Sequence, residues 1–267
     1  MAMIKIELVQ DHLRTSATTV GCDIRLLGSV PSTNSVLREL AKSGAPEGTV
    51  VIADEQTAGH GRLQKSWFSP PGVNLYASVL FRPTIPLREV PAFSFVTSLA
   101  LADAIAAEGL TPAIKWPNDV LVGRRKVAGT LVECASSGKK VDHVIVGVGV
   151  NLNVKAATLS RALGAQARAA GSLAEAAGRE IDRSAFAANF LGFLDRWART
   201  YAERGPGPVL DAWKDRDILT GRRVQVRGEG EAYDGRVLGV DREGYLVLRD
   251  PRGTRRRVLT GEVRIAD

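Results

Sequence analysis

The sequence predicts an α+β fold: a mixed, mainly antiparallel sheet packed with helices, followed by a small C-terminal β-barrel. Three observations carry this expectation. The runs AIKW, DVLV, KVAGTLVEC and HVIVGVGVNLNV are rich in branched residues and are separated by turn signals, as in an antiparallel meander. Residues 91–108 and the alanine-rich stretch 156–217 carry helical patterns instead. From Leu219 the helical period disappears, and short alternating runs follow one another between glycine turns.

Taken in order, the N-terminal MAMIKIELVQDHLR meets Lys5, Glu7 and Asp11 too soon to be the apolar core of a secretory signal. Residues 29–44 predict a helix: Ser32 or Thr33 can cap it, Val36, Leu37 and Leu40 fall at helical spacing, and Gly44 stops it. TVVIADE reads as a buried strand and NLYASVLFRP as a second, which makes residues 53–72 a long connecting loop; such loops are often functional. Residues 91–108, with a proline at the start and an alanine- and leucine-rich body, are the most regular helix. The four strands of the meander follow. Residues 156–217 are helical, broken by Gly164, Gly171, Gly178 and the Gly-Pro-Gly-Pro run at 205–208.

At 267 residues with 45% hydrophobic content, the chain can bury a substantial core. No segment is expected to reach the roughly 20 apolar residues that span a bilayer. Cys22 and Cys134 are the only cysteines and have no ligand-like spacing, which argues against a disulfide framework or zinc site and for a reducing cytoplasm. The net charge of +7 fits nucleic acid, a membrane surface or an anionic substrate, and does not choose among them. Arginines interspersed with acids are, by default, a solvated surface.

Four short constellations carry chemistry. The loop ADEQTAGHGRLQKSWFSPPG has neither the G-x-x-x-x-G-K-[ST] nor the G-x-G-x-x-G pattern, but Gly59 and Gly61 allow close backbone approach, and Arg62 and Lys65 can neutralise a polyphosphate. In IKWPNDVLVGRRKVAGTLVE, Lys115 sits between the apolar Ile114 and Trp116, where an ammonium needs an anion or must snorkel to solvent. GVGVNLN joins small residues to Asn151 and Asn153, whose amides can bind a base, ribose or phosphate. Ser32-Thr33-Asn34 offers small polar side chains at a helix start and, taken alone, reads first as a helix cap and second as a ligand-binding run.

Their order is specific. S-T-N, then A-D-E-Q-T-A-G-x-G-R-x-x-x-x-W-x-S-P-P-G, K-W-P-N-D-V, K-V-A-G-x-L-V-E and G-V-G-V-N-L-N together closely resemble the biotin protein ligases. The resemblance runs from about residue 28 to the end. It implies a class II synthetase-like catalytic domain over residues 28–218, after a lead-in of residues 1–27, and an SH3-like β-domain over residues 219–267. It also implies an activity: biotin is activated with MgATP to biotinyl-5′-AMP, pyrophosphate is released, and biotin passes to one lysine of a biotin carboxyl carrier protein.

By that resemblance Lys115 and Arg62 are the catalytic cations. Ser32, Thr33, Asn34 and Gln56 would bind the ureido ring of biotin, with Gly59, His60, Gly61, Arg62, Lys115 and Gly129 completing the biotin site. Arg62, Lys65, Trp67, Trp116, Asn118 and Asn151 would hold ATP and the adenylate. Magnesium would arrive on the phosphates, with no firm protein ligand and only Asp119 and Asn118 as weak candidates. The loop would close over the mixed anhydride and exclude water.

Two departures accompany the resemblance. Family members commonly read G-R-G-R-x-G-R where this chain reads Gly59-His60-Gly61-Arg62-Leu63-Gln64-Lys65, which lowers fixed positive charge and removes a bidentate donor. Only about 27 residues precede the matching region, too few for the winged helix-turn-helix of the repressor members, so sequence-specific DNA binding is not expected; with no bilayer-length apolar run expected either, neither is membrane association. The chain is expected to be a monomer, or a homodimer paired through a sheet edge. Two rival readings are a lipoate or octanoate ligase of the same superfamily and a non-catalytic biotin sensor.

Overall fold

The computed structural model describes residues 4–14, 18–228 and 232–266. The main sheet has seven strands, in the order β1 (Asp23–Val30), β2 (Thr49–Gln56), β3 (Leu75–Phe81), β7 (Lys140–Val150), β6 (Arg125–Ser137), β5 (Asp119–Val122) and β4 (Pro112–Lys115). β1 and β2 are parallel because α2 (Thr33–Lys42) crosses between them. The remaining pairs are antiparallel, and β4 to β7 form the expected meander.

β1 was not anticipated. It is an edge strand with a mixed burial pattern, so it lacks the apolar run that marks β2 and β3. Residues 29 and 30, expected at the start of a helix, belong to this strand, and the helix begins at Thr33. Ser32 takes the N-cap position, but its side chain makes no capping bond.

α3 (Ala92–Ala107) is buried on nearly all sides, packed on the sheet and on α6 (Arg183–Arg204) and α7 (Pro206–Lys214). Each large apolar side chain so buried contributes about 1.5–3 kcal/mol. By length and composition, Leu87–Ala107 is apolar enough to cross a membrane, contrary to the sequence expectation. That hydrophobicity serves a core element enclosed by other elements, with 67% of the apolar stretch buried inside the protein. Before β1, α1 (Ile6–Arg14) packs Val9 and Leu13 toward α6, and buried Asp195 on α6 accepts from the Thr19 and Val20 amides. α4 (Ala156–Leu163) and α5 (Leu173–Ala177) follow β7. Cys22 and Cys134 are free thiols.

The C-terminal sheet is antiparallel, in the order β11 (Arg255–Val258), β10 (Leu246–Arg249), β9 (Ala232–Val240), β8 (Arg223–Arg227), β12 (Glu262–Ile265). Val224, Val226, Val237, Leu248 and Val263 are buried, alternating with exposed polar residues as a half-buried sheet requires. This sheet is fastened to the rest of the chain. The Trp116 indole donates to Gly244 O at 3.1 Å, and Phe95 packs so closely on Gly244 that a Cβ there would stand 2.6 Å from the ring. Segment 216–218 covers the β4 edge: Ile114 N donates to Arg216 O, and Ile218 N to Ile114 O.

Candidate active site

A cavity of about 540 Å³ opens between the meander, the loop after β2 and the β12 edge of the C-terminal sheet. All the site residues implied by the resemblance line it except Gly59, and Asn153, the second amide of G-V-G-V-N-L-N, lies outside it and spends its amide on the Ile181 backbone. Gly59 is a correction: it is buried within the loop, where a Cβ would stand 2.7–2.9 Å from Ser69 Oγ, Trp67 O and Gln56 Nε2. Glycine is needed there for the loop to pack on itself. Gly61 does line the cavity, where its N–H donates to Lys65 O at 2.7 Å.

One wall is a polar network whose lining side chains are uncharged and which ends, behind them, on an ion pair. Gln56 Oε1 accepts from the Thr33 amide at 2.9 Å and from its hydroxyl at 3.1 Å, and Gln56 Nε2 donates to Ser69 Oγ. The Ser78 hydroxyl donates to Asn34 Oδ1 at 2.6 Å and lies 2.7 Å from the Thr33 hydroxyl. Asn34 Nδ2 donates to Glu133 at 2.7 Å, and Arg38 donates to both carboxylate oxygens of Glu133 at 2.9 Å. Asn34 crosses β7 at Gly147, where an added Cβ would stand 2.2 Å from Asn34 Oδ1. The residues that look like a helix cap are thus turned into the cavity wall.

The loop is not structureless, as its sequence suggested. His60 and Ser66 bridge, and a short helical turn spans Arg62–Gln64. Leu63 (φ 54°) and Gln64 (φ 55°) both occupy the left-handed region. Gln64 stands where the family pattern has its third glycine, so this chain holds strained backbone at the loop tip. The loop leans on the C-terminal sheet: Arg62 donates to Thr260, and Lys65 pairs with Glu262 at 2.7 Å. His60 Nδ1 lies 3.3 Å from Ala58 O, which can only accept, so Nδ1 carries the hydrogen. The other ring nitrogen, Nε2, lies 4.0 Å from Glu133 Oε1.

The opposite wall is cationic. The Lys115 ammonium makes no hydrogen bond or close ion pair among the described residues, and burial pushes it below the usual lysine value. Lys126 and Arg264 push in the same direction, opposed by Asp119 and Glu262. Burial likewise lowers Arg62, with Asp119 partly compensating. Lys126 pairs with Asp119 at 2.5 Å and lies 5.2 Å over the Trp67 ring. That indole rests on Gly149, where a Cβ would stand 2.3 Å from Trp67 Nε1, and Nε1 is buried without a hydrogen-bond partner.

Three candidates for nucleotide binding spend a side-chain N–H donor on the fold. Trp116 donates to Gly244 O, Asn118 Nδ2 to Thr130 O at 2.6 Å, and Asn151 Nδ2 to Gly171 O at 3.0 Å. They border the cavity and shape it.

Comparison with known proteins agrees with this arrangement. Residues 26–151 match the model of the biotin/lipoate A/B protein ligase family, and residues 219–265 match the biotin protein ligase C terminal domain. The chain is 35% identical over 232 residues to a biotin–[acetyl-CoA-carboxylase] ligase of Paracoccus denitrificans, covering 85% of this chain and 95% of that protein. The chain belongs to the biotin protein ligase family. It is also 34% identical to the bifunctional ligase/repressor BirA of Bacillus spizizenii, over 85% of this chain and 69% of that protein. Among solved structures, a biotin protein ligase from Aquifex aeolicus in complex with biotin and ATP superposes with a TM-score of 0.77 at 25% identity, covering 92% of this chain and all of that one.

Several cavity residues of this family member escaped the sequence reading. Lys126 was within reach, since it opens the K-V-A-G motif. Ser78, buried behind the wall and bonded to Thr33 and Asn34, had no signal, because periodicity does not reveal which buried hydroxyl braces a cavity side chain. Glu262 and Arg264 come from the C-terminal sheet, and only the tertiary fold brings them to the cavity. Asp119, a weak magnesium candidate, is occupied by Lys126, and Asn118 turns its amide to Thr130. Among the described residues, no group of three or more His, Cys, Asp and Glu side chains could hold a metal ion.

Proposed function

We propose that this chain ligates biotin to a lysine of a biotin carboxyl carrier protein, with ATP as the second substrate and biotinyl-5′-AMP as the intermediate. The observation that carries the reading is one cavity with two unlike walls: uncharged donors and acceptors at Thr33, Asn34 and Gln56, and half-buried cations at Lys115 and Arg62. A ureido ring needs both donors and acceptors without net charge. A carboxylate approaching a triphosphate needs preorganised positive charge.

In the first step a biotin carboxylate oxygen forms a bond to the α-phosphorus of ATP. The bond from that phosphorus to the bridging oxygen breaks, and pyrophosphate leaves with the electron pair. Lys115 and Arg62 stabilise the charge that gathers between the two anions. Magnesium, carried on the phosphates, supplies further charge neutralisation when bound. Trp67, which lines the cavity with its indole N–H unspent, would flank the adenylate and with the loop keep water from the anhydride. In the second step the acceptor lysine amine attacks the acyl carbon, AMP departs with the bonding pair, and the new amide nitrogen loses a proton.

Mass spectrometry of a recombinant carrier domain incubated with the protein, biotin and MgATP tests this reading. A biotin-mass adduct on one lysine is expected. A lipoyl or octanoyl adduct under matched conditions, with none from biotin, replaces it by lipoate-type ligation. Tight biotin binding without any adduct replaces it by sensing.

A further inference from the structure

The C-terminal sheet carries an arrangement that neither its own stability nor the cavity uses. Arg255 on β11 lies directly across from Arg249 on β10, Arg249 from Arg236 on β9, and Arg236 from Arg223 on β8. Directly opposed residues share a face, so four guanidinium side chains form one row across four adjacent strands. All four are exposed. Strand spacing makes the row about 14 Å long, at ~4.8 Å per step.

Like charges directly across a ladder destabilise a sheet, and this row repeats the conflict three times. The neighbouring arginines are neutralised: Arg256 pairs with Asp250, and Arg257 with Asp241 and Glu243. The row is not. Arg236 Nε donates to Gly221 O, while Arg223, Arg249 and Arg255 have no acidic partner among the described residues. On the same face of β8, β9 and β12 the described acids are Asp234, across from Gln225, and Glu262, already held by Lys65.

The row also has a direction. Arg223 shares its face with Gln225 and Arg227, which lie across from Arg264 and Glu262 of β12. Those two β12 side chains line the cavity. The basic face is therefore continuous with the cavity's edge.

We infer that this arginine row is the docking face for an acidic surface of the protein that delivers the acceptor lysine. The inference rests on the ligase reading above, in which a folded carrier must bring one lysine to the cavity. Such a carrier overhangs the rim and must rest on something beside it. Arginine forks pair bidentately with carboxylates, and exposed complementary charge steers encounter. A single-stranded nucleic acid is the lesser fit, because the four positions of the row include no aromatic side chain on which a base could stack.

The test compares the wild-type chain with the double variant Arg249→Glu/Arg255→Glu. Two rates are measured: biotin-dependent pyrophosphate release without acceptor, and biotin transfer to a recombinant carrier domain of net negative charge. The inference expects the variant's KM for the carrier to rise ~10-fold or more, with a flatter salt dependence, while pyrophosphate release stays within about twofold. Retained pyrophosphate release also shows that the variant is folded. An unchanged carrier KM overturns the docking inference and leaves the ligase reading intact. So does a parallel fall of both rates, which makes the row a support of the cavity. Salt-sensitive binding of an oligonucleotide that the variant loses, with carrier KM unchanged, transfers the face to nucleic acid. Absence of biotin-dependent pyrophosphate release in the wild type sinks the ligase reading itself, and this inference with it.

Discussion

Gly147→Ala is the substitution that most cleanly separates cavity wall from fold. The added Cβ would stand 2.2 Å from Asn34 Oδ1, 2.9 Å from its Cγ and 3.1 Å from its Nδ2. The Asn34 amide must withdraw by about 1 Å or more to reach ordinary contact. It is held at 2.6 Å by Ser78 and at 2.7 Å by Glu133, and neither bond survives that displacement. Losing one neutral and one charge-assisted hydrogen bond in a buried setting costs about 2–4 kcal/mol. If Asn34 reads the ureido group, at least ~1.4 kcal/mol of that should appear in biotin binding, a tenfold rise in Kd. Isothermal titration with biotin measures it. Gly28→Ala is the control, because nothing lies within 4 Å of its would-be Cβ. A Gly147→Ala protein that is folded and binds biotin within twofold of wild type refutes the assignment of Asn34.

Other predictions follow from the cations and the loop. Lys115→Met should slow pyrophosphate release by about 10² to 10³, the scale of one lost electrostatic contact to a transition state, with melting temperature barely changed. Because burial lowers the Lys115 ammonium, the wild-type rate should decline as pH rises, starting below the ordinary lysine value of 10.5; a flat alkaline limb would argue that Lys115 is not the essential cation. Gln64→Gly should stabilise the protein by up to ~1 kcal/mol in urea titration, and Gln64→Val should destabilise it, since both report φ 55° at that position. Lys65→Glu should loosen the loop toward trypsin cleavage after Arg62, and Glu262→Lys combined with it should restore protection. The coupling should stay below ~1 kcal/mol, because the two side chains are 59% and 47% exposed. Arg183→Ala should cost about 3–5 kcal/mol in the same titration, because it leaves Asp54 without its buried partner.

Much of this architecture is legible in the sequence, for reasons that differ by element. The meander was readable because turn residues punctuate branched runs, and α3 because it is apolar throughout. β1 was not, because an edge strand that mixes buried and exposed positions looks like the approach to the following helix. The site divides in the same way. Ordered motifs announce Lys115, Arg62 and the Ser32–Asn34 run, since each sits in a recognisable string of residues. The rows of side chains that depend on register leave no local trace: Ser78 against Asn34, Glu133 against Arg38, and the four arginines of the C-terminal sheet. Gly59 shows the opposite error. A glycine in a functional loop invites a ligand-contact role, whereas here its missing Cβ makes room for Ser69 and Gln56 of the same chain.

The central claim is that one cavity joins biotin to the α-phosphate of ATP before any acceptor arrives. Exchange of labelled pyrophosphate into ATP, measured without a carrier domain, tests it most directly. Exchange that requires biotin and is lost in Lys115→Met is the predicted result. Exchange that proceeds without biotin, or none at all with saturating biotin and MgATP, would contradict the account.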